Sequence, residues 1–211
     1  TGDLVVSAIG GSNCAIVTCT VRTVYDKVGT NHAVQTTIAS RPTFVANVIN
    51  SSWCMTFAGA HSLVTAGNYT RNQPYAMVAV ANRTGDFTIQ NEIINVGDAA
   101  FNGGFFLWAD ANNTLQMYAG SVFNSTAANT TFHAIQGVFN GASSIAATDG
   151  SESTGDAGAQ NISSYVLTLG NSPSAQPLRG GICEAGFVAG TISSGNRTSL
   201  NSNMHGAYGA W

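Results

Sequence analysis

Along this chain apolar residues come in short runs or alternate with polar ones, and no long stretch repeats them at helical spacing. In Tyr75-Ala-Met-Val-Ala-Val-Ala81 the larger side chains alternate, as they do in Leu115-Gln-Met-Tyr-Ala119. Each suits a strand with one face on a core. The pattern predicts strands at 4–9, 15–25, 44–49, 53–58, 75–81, 87–96, 104–109, 114–122, 131–139, 144–148, 164–169 and 181–188. Turn signals separate them. Asn102-Gly103-Gly104, Asn140-Gly141, Asp149-Gly150 and Arg179-Gly180-Gly181 offer the positive-φ positions of tight turns. The small, polar stretch 150–160 reads as a surface loop, and no amphipathic helix is predicted. The expected architecture is all-β, a two-sheet antiparallel β-sandwich in one domain over 13–211, preceded by an arm or edge strand at 1–12.

Composition narrows the setting. The 211 residues suffice for one substantial core, and 44% of them are hydrophobic. Only 8% are charged, against roughly 25% in ordinary soluble domains, and Lys27 is the one lysine. A surface of Asn, Ser, Thr, Gly and Ala has little charge repulsion to keep copies apart. It suits a glycan-coated protein or a subunit that meets its own copies. The net charge of −3 gives no basic footprint for nucleic acid. No apolar run approaches the ~20 residues of a membrane helix, and no charged leader precedes Thr1, so a signal peptide is expected to be absent or already removed.

Cys14, Cys19, Cys54 and Cys183 lack the spacing of a zinc site and read as two disulfides in an oxidising, extracellular compartment. Asn-x-Ser/Thr occurs at Asn50, Asn68, Asn82, Asn112, Asn124, Asn129, Asn161 and Asn196. That is about twice the number expected by chance from 20 Asn and 42 Ser plus Thr. Most of these sites are expected on exposed turns or outward strand positions, carrying N-linked glycan.

Three segments resemble a known family. Cys14-Ala-Ile-Val-Thr-Cys19 leads into Tyr25-Asp26-Lys-Val-Gly-Thr-Asn-His32-Ala-Val-Gln35. This is similar to the paired-cysteine strand and Tyr-Asp-x-x-Gly-x-x-His-x-x-Gln stretch of the fungal-type α-L-arabinofuranosidase B catalytic domain. Phe132-His-Ala-Ile-Gln-Gly-Val-Phe-Asn-Gly141 resembles the central hairpin of laminin-G-like jelly rolls, and Gly180-Gly-Ile-Cys-Glu-Ala-Gly-Phe187 their closing strand. The resemblance implies a concanavalin-like jelly roll. It also implies disulfides Cys14–Cys19 and Cys54–Cys183, the second joining strands that neighbour each other in such a sandwich.

The family's chemistry is not carried over. A retaining glycosidase of this kind needs two carboxylates about 5 Å apart. Where the family's nucleophilic Glu stands in an Asp-x-Glu-Asn-Asn-like stretch, this chain has Asp110-Ala-Asn112-Asn113 after Trp108. Where its acid/base Asp follows Ile-Leu-Gly, this chain has Asn171 and Ser172. Asp98-Ala99-Ala100-Phe101 replaces the family's adjacent cysteine pair. On this basis no catalytic residue is assigned, and no metal or cofactor is expected. Glu184 and Asp110 form the one other acid pair worth weighing. Asp26 and His32 read either as an acid–base couple or, with Tyr25 and Gln35, as a hydrogen-bonded cluster that holds a turn. Trp108 and Asp110 read either as a sugar-contact platform or as a core Trp at a strand end.

Two functions follow. The first is a non-catalytic extracellular structural glycoprotein that self-assembles into a filament, coat or shell. Its arm, with apolar Leu4, Val5, Val6, Ala8 and Ile9 before a Gly10-Gly11-Ser12 hinge, would dock on a neighbouring copy or close its own sandwich. The second is a carbohydrate-binding module or arabinofuranosidase-like glycosidase acting on polysaccharide.

Overall fold

The computed structural model describes residues 19–85, 89–108, 114–127, 130–171 and 176–209. The predicted arm at 1–12, Cys14, Asp110, Asn112 and Asn129 lie outside the described residues.

The predicted strand 15–25 is represented by two short pieces, β1 (Cys19–Thr20) and β2 (Thr23–Val24). They are followed by β3 (Ala33–Val34), β4 (Thr43–Ile49), β5 (Ser52–Ala58), β6 (Leu63–Arg71) and β7 (Tyr75–Arg83). Next come β8 (Asn91–Gly97), β9 (Gly103–Trp108), β10 (Thr114–Tyr118), β11 (Val122–Ala127) and β12 (His133–Phe139). The chain continues through β13 (Ser144–Thr148), β14 (Ser151–Gly155), β15 (Ile162–Leu169) and β16 (Arg179–Val188) to a helix, α1 (Ser194–Tyr208). Among the described residues the strands form two eight-stranded sheets, ordered β1-β4-β5-β16-β7-β12-β13-β14 and β11-β10-β9-β8-β15-β6-β3-β2. The fold is all-β, a two-sheet antiparallel sandwich.

The shared core lies between the sheets. Phe57, Met77, Ile135 and Ile182 enter it from the first sheet, and Leu63, Ile94, Phe106, Trp108, Met117 and Leu169 from the second. Strands β7 and β12 are buried along their whole length, so their outer face is covered too. That cover is α1: Met204, with Leu200 and Tyr208, packs against Val78, Val80, Ala134, Cys54 and Cys183 in a second apolar cluster. No helix of the described residues is long and apolar enough to cross a membrane.

Cys54 and Cys183 are disulfide-bonded, with Cα atoms 4.0 Å apart. The register Thr56↔Gly181 and Met55↔Ile182 between β5 and β16 brings them opposite each other.

Three expectations are corrected. A helix, α1, stands where none is predicted. The stretch 150–160 contains a strand, β14, of Ser, Glu, Thr and Gly residues, which pairs antiparallel with β13 at the sheet edge. Arg179-Gly180-Gly181 is not a turn but the start of β16. There Gly180 lies so close to the Asn82 carbonyl, and Gly181 to the Phe132 ring, that no Cβ fits. The other three turn signals do bend the chain, with φ of 120° at Gly103, 56° at Gly141 and 83° at Gly150.

Candidate functional site

The hairpin of β2 and β3 pairs Thr23 with Val34 and Val24 with Ala33, which leaves 25–32 as a projecting loop at the sheet edge. Its conformation is fixed by its own side chains. Oδ1 of Asp26 accepts from the backbone N–H of Val28 (2.9 Å) and of Gly29 (3.0 Å). The Asp26 N–H donates to Nδ1 of His32 (3.1 Å), so that nitrogen is the unprotonated one. The Tyr25 ring meets the His32 ring edge-on at 4.9 Å. Burial works to raise the Asp26 pKa. The backbone donors Val28, Gly29 and Asn31, with His32 beside them, outweigh it and hold the carboxyl below its ordinary value.

Both readings of this stretch turn on how Asp26 meets His32 and Gln35. Asp26 meets His32 through its backbone rather than its carboxylate. Gln35 is not part of the group: its Nε2 donates to the carbonyl and hydroxyl of Ser62, and its Oε1 accepts from the Thr37 N–H.

The loop is stitched to β6 by Asn31, whose Nδ2 donates to the Gly67 carbonyl (3.0 Å) while its Oδ1 accepts from the Gly67 N–H (2.7 Å). The amide thus imitates one step of strand pairing. Across the sandwich mouth, the end of β16 brings Phe187 edge-on to Tyr69 of β6, with centroids 5.2 Å apart. Loop, β6 and β16 enclose a cleft of about 440 Å³, floored by Ile94, Leu167 and Leu169. Tyr25, Asp26, Lys27, Tyr69, Arg71 and Phe187 stand on its walls. Burial, with the negative charge of Asp26, pushes the Tyr69 phenol up, against a hydrogen bond with Asn31 and the charge of Arg71. The phenol stays neutral at physiological pH and serves as a hydrogen-bond donor and acceptor.

The cleft offers ring surface, an apolar floor and a rim of amide, hydroxyl, carboxylate and cations. Asp26 is the one acid among the described residues on its walls, and these show no second carboxylate about 5 Å away for glycoside cleavage. Among the described residues no three His, Cys, Asp or Glu side chains converge as metal ligands.

The sugar-contact reading of Trp108 is corrected. Its ring is fully buried between the sheets, and a sugar has no face of it to stack on. Glu184 lies on β16 in the first sheet, whereas β9, which leads toward Asp110, belongs to the second. Of the sequon asparagines, Asn50, Asn68, Asn124, Asn161 and Asn196 are exposed. Asn82 is not: it is 6% exposed on the central strand β7, where Nδ2 donates to the Thr130 carbonyl and Oδ1 accepts from the Gly181 N–H. Its amide is committed to the fold.

Tyr69, Arg71 and Phe187 escape a reading of the sequence alone. The stretch Leu63-Val-Thr-Ala-Gly-Asn-Tyr-Thr-Arg71 alternates too weakly to mark β6 as a strand. One available signal was its aromatic and basic residues at i and i+2, which share a face.

No protein-family model matches the chain, and no curated protein does. Solved structures do. A GH54 α-L-arabinofuranosidase superposes with a TM-score of 0.67 at 16% identity, over 90% of this chain and 52% of that one. Domain 4 of AbnA, a GH43 extracellular arabinanase from Geobacillus stearothermophilus solved with arabinotriose, gives 0.64 at 12% identity, over 84% of this chain and 92% of that domain. Trypanosoma rangeli sialidase gives 0.63 at 13%, over 96% of this chain and 32% of the enzyme. The chain spans about half the length of the arabinofuranosidase it matches. At these identities the likeness defines the fold alone: an all-β, two-sheet antiparallel sandwich.

Proposed function

We propose that this chain is a carbohydrate-binding domain whose ligand lies in the cleft between the 25–32 loop, β6 and the end of β16. The observation that carries the reading is the Tyr69–Phe187 ring pair beside Asn31, Asp26 and Arg71, above an apolar floor. Sugar rings present C–H faces to aromatic rings and hydroxyls to amides and charged groups, and this cleft supplies both. The arabinanase domain solved in complex with arabinotriose, matched over 92% of its length, supports a sugar-binding role for such a sandwich.

Affinity electrophoresis against arabinan, arabinoxylan and polyuronate gels tests it. Wild type is retarded on at least one, and Tyr69→Ala abolishes the retardation while circular dichroism stays unchanged. Free migration on every gel refutes the reading.

The setting proposed for this domain is extracellular. A disulfide and five exposed sequons support it. Expression in a glycosylating host should give an intact mass above the 21.7 kDa polypeptide that falls back on enzymatic deglycosylation.

One observation favours assembly as a second reading. Trp53 is 51% exposed and stacks on Phe44 at 4.8 Å, beside the sheet edge into which the N-terminal segment leads. An exposed indole on a surface with so little charge is a natural contact between copies. Filaments or shells in negative stain, lost when residues 1–9 are deleted, would support it. A monodisperse monomer at high concentration would exclude it.

A further inference from the structure

We infer that the cleft selects an acidic sugar, a glycan unit bearing a carboxylate, held by Arg71. The inference rests on the carbohydrate-binding reading and adds the ligand's charge. The chain has seven Lys and Arg in 211 residues and a net charge of −3, yet Lys27 and Arg71 both stand on this one cleft. They sit on different walls, Lys27 on the 25–32 loop and Arg71 at the end of β6. Asp26 is the one opposing charge among the described residues of those walls, and its Oδ1 already accepts from the N–H groups of Val28 and Gly29. Among the described lining residues two basic side chains thus stand against one acid, on a molecule whose net charge is negative.

The guanidinium is also oriented. Nη1 of Arg71 donates to the Thr70 carbonyl (2.8 Å), which fixes one corner of the fork. The edge formed by Nε and Nη2 keeps two parallel N–H groups, the arrangement that a carboxylate matches in bidentate fashion. Arg71 is exposed at the cleft rim, so a ligand reaches this edge without moving protein. With Tyr69 at i−2 on the same face of β6, a sugar ring lying against the phenol would direct a ring carboxylate at Arg71.

The test compares polygalacturonate, its fully methyl-esterified form and a neutral arabinan as ligands for the full chain, by isothermal calorimetry. Polygalacturonate is expected to bind at least about tenfold more tightly than the ester, with affinity falling as salt is raised. Arg71→Gln should erase that preference. Arg71→Lys should restore it only in part, because an ammonium lacks the fork. Binding of ester and arabinan as tight as that of the acid, unaffected by Arg71→Gln but lost in Tyr69→Ala, overturns the acidic-sugar inference and leaves the carbohydrate reading standing. Binding of none of the three overturns both.

Discussion

Gly170 follows β15 in a left-handed conformation, φ 77°, with the Phe57 ring lying where its Cβ would be. Two penalties therefore meet at one residue. A side chain in that backbone region costs about 1–2 kcal/mol, and forcing a methyl into a packed core about 1–3 more. Gly141, φ 56°, has open space around its missing Cβ and carries the first penalty alone. Urea denaturation should show Gly170→Ala losing roughly 3–4 kcal/mol and Gly141→Ala about 1. Equal losses would mean that Phe57 yields. Trp108 shows why such distinctions escape a reading of the sequence. An aromatic followed by Ala-Asp-Ala-Asn-Asn looks the same whether its ring faces a sugar or a core, because nothing local records the second sheet that covers it.

At the scale of elements, α1 is the largest departure from expectation. Its sequence, Ser-Gly-Asn-Arg-Thr-Ser-Leu-Asn-Ser-Asn-Met-His-Gly-Ala-Tyr, is poor in helix formers. The helix exists because its ends and one stripe are provided for. Oγ of Ser193 accepts from the Asn196 N–H (3.3 Å), and Gly209 ends it at φ 76° with its N–H on the His205 carbonyl (2.8 Å). Leu200, Met204 and Tyr208, four apart, lie on the outer face of the first sheet. That spacing was legible, but three apolar positions among Asn and Ser fall below what periodicity alone can claim. Arg197 pins the helix to the sheet edge through Nε and Nη2 to the two carboxylate oxygens of Glu152 (2.7 and 2.8 Å). The hydrogen bond and charge of Arg197 outweigh burial and hold the Glu152 carboxyl below its ordinary value. A depressed carboxyl pKa stabilises the fold above the ordinary glutamate range, and the contribution disappears as pH falls through the depressed value. Because the Glu152 side chain is 38% exposed, solvent screens the pair to about 1 kcal/mol or less. Glu152→Gln should therefore lower the urea midpoint at neutral pH and leave it unchanged in strong acid. Met204→Ala, which empties the contact itself, should cost about 2–3 kcal/mol at both.

For the molecule as a whole, alternation and turn residues made the sandwich legible, while the sheet order was not. Pairing partners such as β5 and β16 are far apart in the chain, and local pattern says nothing of who pairs with whom. The cleft has the same origin: it joins the 25–32 loop, β6 and the end of β16, and of its lining residues Tyr25 and Asp26 alone stood out in the sequence as candidate site residues. The same long-range closure sets the weight of the Cys54–Cys183 bridge, which spans 129 residues. A cross-link of that span restricts mainly the unfolded chain, and its loss costs about 3–5 kcal/mol. In the folded state the two strands remain paired through β5–β16 hydrogen bonds, and Cys54 and Cys183 sit under α1 as small apolar side chains. Replacing both by Ala should therefore preserve the sandwich, with an unchanged circular dichroism spectrum, while the urea midpoint falls. The slope of the transition should steepen, because an unfolded chain without the bridge exposes more surface. A lower midpoint at constant slope would place the bridge's effect in the native state, through packing beneath α1. In that case Cys54→Ala and Met204→Ala should be coupled in a double-mutant cycle. Steepening with additive energies would place it in the unfolded chain, as the 129-residue span requires.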